Sequence, residues 1–258
     1  MLKPIALFAL LISSTAFGVQ FPQAMLERTA PTEHPVLKPF KATFKAQVKP
    51  WNVSGHSIYT LKKTTDDTYT LTLSLEHALI DIQEKSTFKV IEGCMPVPLE
   101  YSYMRNPALG RTRTHHVAFD HGTQRAHFEN NGEKGAIDIP DNVIDQLSLL
   151  IGFRCQQYEQ KPLDFTVFSR KRLKKYLFKL EGTDTQQTQL GPIHSQRFMR
   201  YRPDKPDSDR ITRFWLAPAY GLQLIHAFQV EGSSSTQLGL VSISPGLPAF
   251  SEQHAVSN

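Results

Sequence analysis

Four histidines, His115, His116, His121 and His127, fall within thirteen residues. His115 and His116 are neighbours in a stretch that alternates like a strand, so their side chains leave opposite faces. Zinc needs three or four convergent ligands, and this spacing does not supply them, so no metal is expected. The run RKRLKKY, residues 170–176, is the strongest concentration of charge. Arg170, Lys171, Arg172, Lys174 and Lys175 could contact an anionic headgroup, or could form the solvated tip of a hairpin. Arg111 and Arg113 add a smaller basic patch. Glu76, Asp81 and Glu84 could pair carboxylates for acid–base work, as many soluble surfaces could. Cys94 and Cys155 are the only cysteines. In an oxidising compartment they could form a disulfide; otherwise they are two separate buried thiols.

The sequence contains no Gly-x-Ser-x-Gly, His-Glu-x-x-His or Cys-x-x-Cys motif and no phosphate-cradling glycine loop. Nucleophilic, metal and redox catalysis therefore have no recognisable signature here. No cofactor is expected, and the protein reads as a non-enzyme. The basic run lacks interleaved aromatics that would make a base-stacking platform, so nucleic acid is not an expected partner.

The chain opens MLKPIALFALLISSTAFGVQ. Lys3, the apolar run Pro4 to Ile12 and the small-x-small triplet Ala16-Phe17-Gly18 form a secretory signal-peptide pattern over residues 1–18. The apolar run is too short to span a bilayer, and no cysteine marks a lipoprotein cleavage site. Export to a bacterial periplasm as a soluble protein is expected, with no transmembrane segment after cleavage. Loss of Lys3 lowers the formal net charge from +5 by one. That mild basicity permits attraction to anionic envelope material.

Residues 19–39 carry Pro22, Pro31, Pro35 and Pro39 and read as an extended lead-in. FKATFKAQVK, 40–49, then alternates apolar and polar without a break, as does TYTLTLSLE, 68–76. That two-residue period marks strands with one dry face. Further strands are predicted at 54–63, 85–91, 98–104, 113–120, 123–129 and 134–139. The second half adds 163–169, 174–181, 193–201, 210–216, 222–230 and 236–243. Such spacing suits an antiparallel sandwich or barrel. One segment breaks the rhythm. Val143, Ile144, Leu147, Leu150 and Ile151 lie at helical spacing, with Asp141 or Asn142 to cap the start and Arg154 near the end. The pattern predicts one amphipathic helix at about 141–155. The fold class is mainly β: a strongly curved antiparallel sheet, half-barrel or open barrel, wrapped around that helix. A single domain over 40–243 and a flexible tail over 244–258 complete the expected organisation.

Several segments together resemble the bacterial family known as domain of unknown function 3108. They are the opening strand from Phe44 to Gly55, CMPVPLEY at 94–101, VAFD at 117–120, DQLSLLIGFR at 145–154 and RFWLAPAYGLQL at 213–224. No single motif is specific; their order and spacing over roughly residues 40–242 carry the resemblance. The family's frequent proline near Gln223 is missing. The resemblance implies an exported protein with a curved sheet, similar in outline to the half-barrel lipoprotein carriers of Gram-negative envelopes. Those carriers hold acyl chains against a hydrophobic concavity. No catalytic set comes with the family.

The expected function is a non-catalytic periplasmic binding or cell-envelope maintenance protein. Its ligand would be an acyl chain or other amphiphile in the sheet concavity, with the basic residues orienting an anionic head. The alternatives are an envelope scaffold that binds another protein, recognisable by an exposed apolar patch or open edge, and a hydrolase with converging His and carboxylate groups.

Overall fold

The computed structural model describes residues 37–50, 53–65, 67–90, 95–155 and 163–245. The signal-peptide reading, most of the lead-in, the tail beyond Pro245, Cys94 and the side chain of Cys155 lie outside the described residues. The disulfide expectation lies there with them.

The alternating segments form strands: β1 (Phe40–Lys49), β2 (Val53–Lys63), β3 (Thr68–His77), β4 (Ile80–Val90), β5 (Pro96–Pro107), β6 (Arg113–Asp120), β7 (Arg125–Asn130) and β8 (Glu133–Asp138). After a two-residue β9 (Val143–Ile144) and a helix α1 (Leu149–Cys155), the chain continues through six more. These are β10 (Leu163–Ser169), β11 (Arg172–Thr188), β12 (Gly191–Tyr201), β13 (Ile211–Ala217), β14 (Gln223–Glu231) and β15 (Ser234–Ser244). All fifteen belong to one open sheet, ordered β8 down to β1, then β15 down to β9. Most neighbours are sequential antiparallel hairpins. The long-range closure is β1 against β15, where the two ends of the strand array meet. The final β9–β10 pair is parallel.

A sheet this wide cannot stay flat, because twist accumulates from strand to strand. Register shifts at Thr43/Phe44, Thr87/Phe88, Leu180/Gly182 and Trp215/Leu216 mark bulges that bend it further. The dry face of β1, with Ala42, Phe44 and Ala46 buried, turns into the concavity. At the far end β9 packs against β5 inside the curl, so Val143 and Ile144 are both buried although adjacent. A strand covered on both faces loses its alternation.

The helix differs from the expected one. It spans seven residues, Leu149–Cys155, rather than 141–155. Leu149, Ile151, Gly152 and Phe153 are all buried, so it is a core plug and not an amphipathic surface helix. The physical reason lies upstream. Val143 and Ile144 pair with Thr166 and Val167 of β10, and Asp141 accepts a hydrogen bond from Gln124 Nε2 instead of capping. The apolar spacing that reads as two helical turns is split between a strand and a helix.

Both walls of the concavity grip α1. Phe153 meets Phe165, Phe178 and Phe214 at ring-centroid distances of 5.5, 4.6 and 5.8 Å, which ties it to β10, β11 and β13. Leu150 and Ile151 face Phe44, Tyr59 and Leu71 on the opposite wall. The described residues include no helix long and apolar enough to cross a membrane.

Candidate functional site

The register of β2 to β6 brings Tyr59, Leu73, Glu84, Tyr103 and His115 into one line across five strands. This line is the polar part of an otherwise apolar concave face. Glu84 accepts a hydrogen bond from Tyr101 Oη at 3.1 Å. Burial pushes its carboxyl up to about 7; the Tyr101 hydrogen bond opposes this, and the nearby Asp145 charge adds to it. The phenols of Tyr59, Tyr101 and Tyr103 are all raised, first by burial and then by the Glu84 charge.

Asp145 caps α1. Its Oδ1 accepts the backbone N–H groups of Leu147 and Ser148, both at 2.8 Å. Its own N–H donates to Ser148 Oγ at 3.1 Å, which completes a reciprocal capping box. Its Oδ2 accepts a hydrogen bond from Ser86 Oγ on β4 at 2.5 Å. Burial raises its pKa above the usual carboxylate range, and the hydrogen bonds from Ser86, Ser148 and Leu147 oppose that rise. At the other end of α1, Arg154 Nε donates to the Gly221 carbonyl at 2.9 Å, and its guanidinium lies 5.6 Å from the centre of the Phe40 ring. Gly221 accepts because a 3-10 turn, Pro218–Tyr220, ends on it in the left-handed conformation at φ 61°.

The interior beside the helix is filled. What remains between Phe40, Phe44, Tyr59, Ile151, Arg154 and Leu224 is a pocket of about 20 Å³, the room of one water. An acyl chain has no space there.

The end of the curl nearest the line is basic. Arg105 and Arg113 face each other across β5 and β6. The β10–β11 hairpin presents Arg170, in the left-handed region at φ 64°, and Lys171 bonds Glu133 at the start of β8, bridging the seam of the curl. Lys174 Nζ donates to Ser169 Oγ at 2.6 Å. Burial, with Arg202, Arg172, Arg170 and Arg200 around it, pushes its ammonium down to about 8. Arg200 stacks 4.7 Å over the Tyr176 ring. Of the five basic residues expected to meet an anionic head, Arg170, Arg172 and Lys174 gather at this mouth. Lys171 is spent on Glu133, and Lys175 lies on the other face, paired with Asp164 at 2.7 Å.

The histidines separate. His115 is 5% exposed, held between Tyr101 and Phe168 at centroid distances of 5.9 and 6.1 Å. Burial pushes its imidazole down to about 4, against a pull from the Glu129 backbone. His116 points outward and pairs with Glu100 at 2.7 Å, and His121 bonds the Pro98 carbonyl. On the outer face of β11 to β14 lies a trough of about 780 Å³ floored by Met199, Trp215 and Phe228. Its arginines are paired with acids of the same face. Glu181 holds Arg213 and Arg197 at 2.7 and 3.2 Å, and Asp184 holds Arg197 and the Trp215 indole, both at 2.8 Å.

The sequence pattern of a family described as protein of unknown function, DUF3108, matches residues 90–233. The chain belongs to the DUF3108 family. Among solved structures, the chain is similar to a β-barrel-like protein of domain of unknown function DUF1849 from Brucella abortus. That match has TM-score 0.52 at 10% identity and covers 80% of this chain and 96% of that one. A DUF1089 family protein from Pseudomonas aeruginosa matches with TM-score 0.36 at 11% identity, over 66% of this chain and 87% of that one. The first likeness is one of fold. A search of the curated proteins finds no match.

In this DUF3108 chain the family-like segments meet in space. DQLSLLIGFR supplies both Asp145 and Arg154, and RFWLAPAYGLQL supplies the Gly221 carbonyl that Arg154 reaches. CMPVPLEY ends on Tyr101, the donor to Glu84. Sequence reasoning named Glu84 only as one of several carboxylates that could pair, met Asp145 within the family-like segment DQLSLLIGFR, and missed Ser86, Tyr103, Arg105 and Arg200. The alternation of β4 and β5 carried the signal for the first three. For Arg200 no signal precedes knowledge of the β11–β12 register.

Proposed function

We propose that this DUF3108 protein is an exported, non-catalytic binding protein of the cell envelope that takes anionic amphiphiles at its basic mouth. One observation carries the reading: a closely packed interior beside α1 beneath a rim where cations from β5, β6, the β10–β11 turn, β11 and β12 converge. This reading places binding at the mouth rather than in the concavity that the family resemblance implied. A non-enzymatic role is supported by the arrangement of the titratable line. His115 is pinned between two aromatic rings with no carboxylate hydrogen-bonded to its imidazole among the described residues, and Asp145 is committed to capping α1. The trough offers a scaffold no charge pattern for a partner, because its arginines are already neutralised.

Native mass spectrometry and lipid extraction of freshly purified protein test the reading. Recovery of a bound anionic amphiphile is expected. Ligand-free protein that also fails to float with anionic vesicles would overturn it. Cell fractionation tests the periplasmic location.

A further inference from the structure

Arg105 and Arg113 are direct cross-strand partners. Like charges placed opposite each other across an antiparallel pair destabilise the sheet. Neither arginine makes an ion pair with a carboxylate among the described residues, and neither do Arg170, Arg172 or Lys174. The acids at this end are already engaged: Glu133 by Lys171, Asp204 by Arg202 and Glu231 by Arg210. The hairpin tip carrying Arg170 is held to β8 by the Lys171–Glu133 pair, and Arg105, Arg113 and Arg170 all lie close enough to the Tyr103 phenol to act on it. The fold thus gathers these cations at one end without an ion-pair partner among the described residues and leaves their repulsion unrelieved.

We infer that this mouth is a binding site for phosphate groups, with Arg105, Arg113 and Arg170 as one wall and Arg172 and Lys174 as the other. The inference rests on the proposed amphiphile binding and narrows its ligand to phosphate-bearing anions. A single carboxylate offsets one charge, whereas a phosphate or diphosphate brings several closely spaced acceptor oxygens that match guanidinium forks. The anion relieves the Arg105–Arg113 repulsion as it binds. Burial first, and then the surrounding arginines, lower the Lys174 ammonium to about 8; an anion at the mouth offsets the arginines' share of that shift.

The test uses the purified protein with inorganic pyrophosphate, followed by calorimetry and thermal unfolding at low salt. Vesicles of phosphatidylcholine, alone or doped with phosphatidylglycerol, form a second arm. Pyrophosphate is expected to raise the Tm, with binding that fades as salt rises. Arg113→Thr should raise the ligand-free Tm and weaken pyrophosphate by about tenfold, the scale of one lost charge-assisted contact. Lys175→Thr, on the opposite face, should leave binding unchanged. Arg105→Gln serves as a second variant if Arg113→Thr folds poorly. No Tm shift with wild type, or equal loss in the Lys175 variant, overturns the inference. Flotation with phosphatidylglycerol that is lost in Arg113→Thr identifies a lipid headgroup. Pyrophosphate binding without flotation supports a soluble phosphate ligand and sinks the amphiphile reading alone. Flotation indifferent to Arg113→Thr and Arg105→Gln leaves the amphiphile reading standing and sinks the phosphate site.

Discussion

Ser86 Oγ and Asp145 Oδ2 lie 2.5 Å apart across fifty-nine residues of chain. This bond fastens the cap of α1 to the middle of β4, so the helix that plugs the core cannot shift without breaking a buried polar contact. Asp145→Ala removes the cap and leaves two buried N–H groups unpaired, at a cost of about 2 kcal/mol. Ser86→Ala removes one donor to a buried carboxylate, at a cost of about 1–2 kcal/mol. The double variant should cost less than the sum, because the two share one contact. Urea denaturation of the three variants measures the coupling, and strict additivity would show that the bond contributes nothing.

Glu84 makes stability depend on pH. Its carboxyl titrates near 4.5 when unfolded and is pushed up to about 7 by burial in the fold. The protonated form is the one the fold prefers, so its contribution is complete below pH 4.5 and declines as pH rises to 7. The full decline is on the order of 3 kcal/mol. His115 runs the other way, since its lowered imidazole contributes only above the acid range. The clean measurement is therefore the difference between wild type and Glu84→Gln. Glu84→Gln should match wild type at pH 4.5 and exceed it at pH 8. A difference that does not change with pH would remove Glu84 from the account.

Arg154→Met tests the contact between the two family-like segments. It deletes the Nε–H donor to the Gly221 carbonyl and the guanidinium beside Phe40, while keeping most of the aliphatic stem. The loss should be about 1–3 kcal/mol, because the carbonyl is left without its donor. Arg154→Lys should not restore it, since an ammonium lacks the planar fork. Thermal unfolding of the pair gives the answer.

Gly152 shows how tightly α1 is packed. A Cβ there would lie 2.9 Å from Phe165 Cε1, and Phe165 is itself packed against Phe153 and Phe178. Alanine gains about 1 kcal/mol of helix propensity but overpacks the core by about 1–3 kcal/mol. Gly152→Ala should therefore be net destabilising. Gly239→Ala, where an added Cβ meets nothing within 4 Å, should be neutral or better. Guanidinium midpoints of the two variants distinguish the outcomes.

Legibility in the sequence followed the physics of each element. FKATFKAQVK and RTHHVAFD could be read to within a residue, because one face meets the core and the other meets water, so alternation is written in side-chain type. The segment 141–155 misled because burial on all sides erases the pattern that tells a strand from a helix. Val143 and Ile144 on β9 and Ile151 and Phe153 on α1 are equally apolar. Glu84 and Ser86 looked like ordinary polar positions on a strand. Their placement inside depends on which face of β4 turns inward.

By itself, the sequence determined that the chain is strand-rich, that one segment departs from strand rhythm, that Arg170 to Lys175 concentrate positive charge, and that the family-like segments follow one another in order. Those are local properties, set by side-chain chemistry and spacing along a few residues. The tertiary structure alone decided that the pocket beside α1 has room for no more than a water, that Asp145 reaches Ser86, that Arg154 reaches Gly221, and that Arg105 opposes Arg113 at a mouth shared with Arg170. Each of these depends on strand register and on the curl of a fifteen-stranded sheet, and register emerges only when distant segments pair.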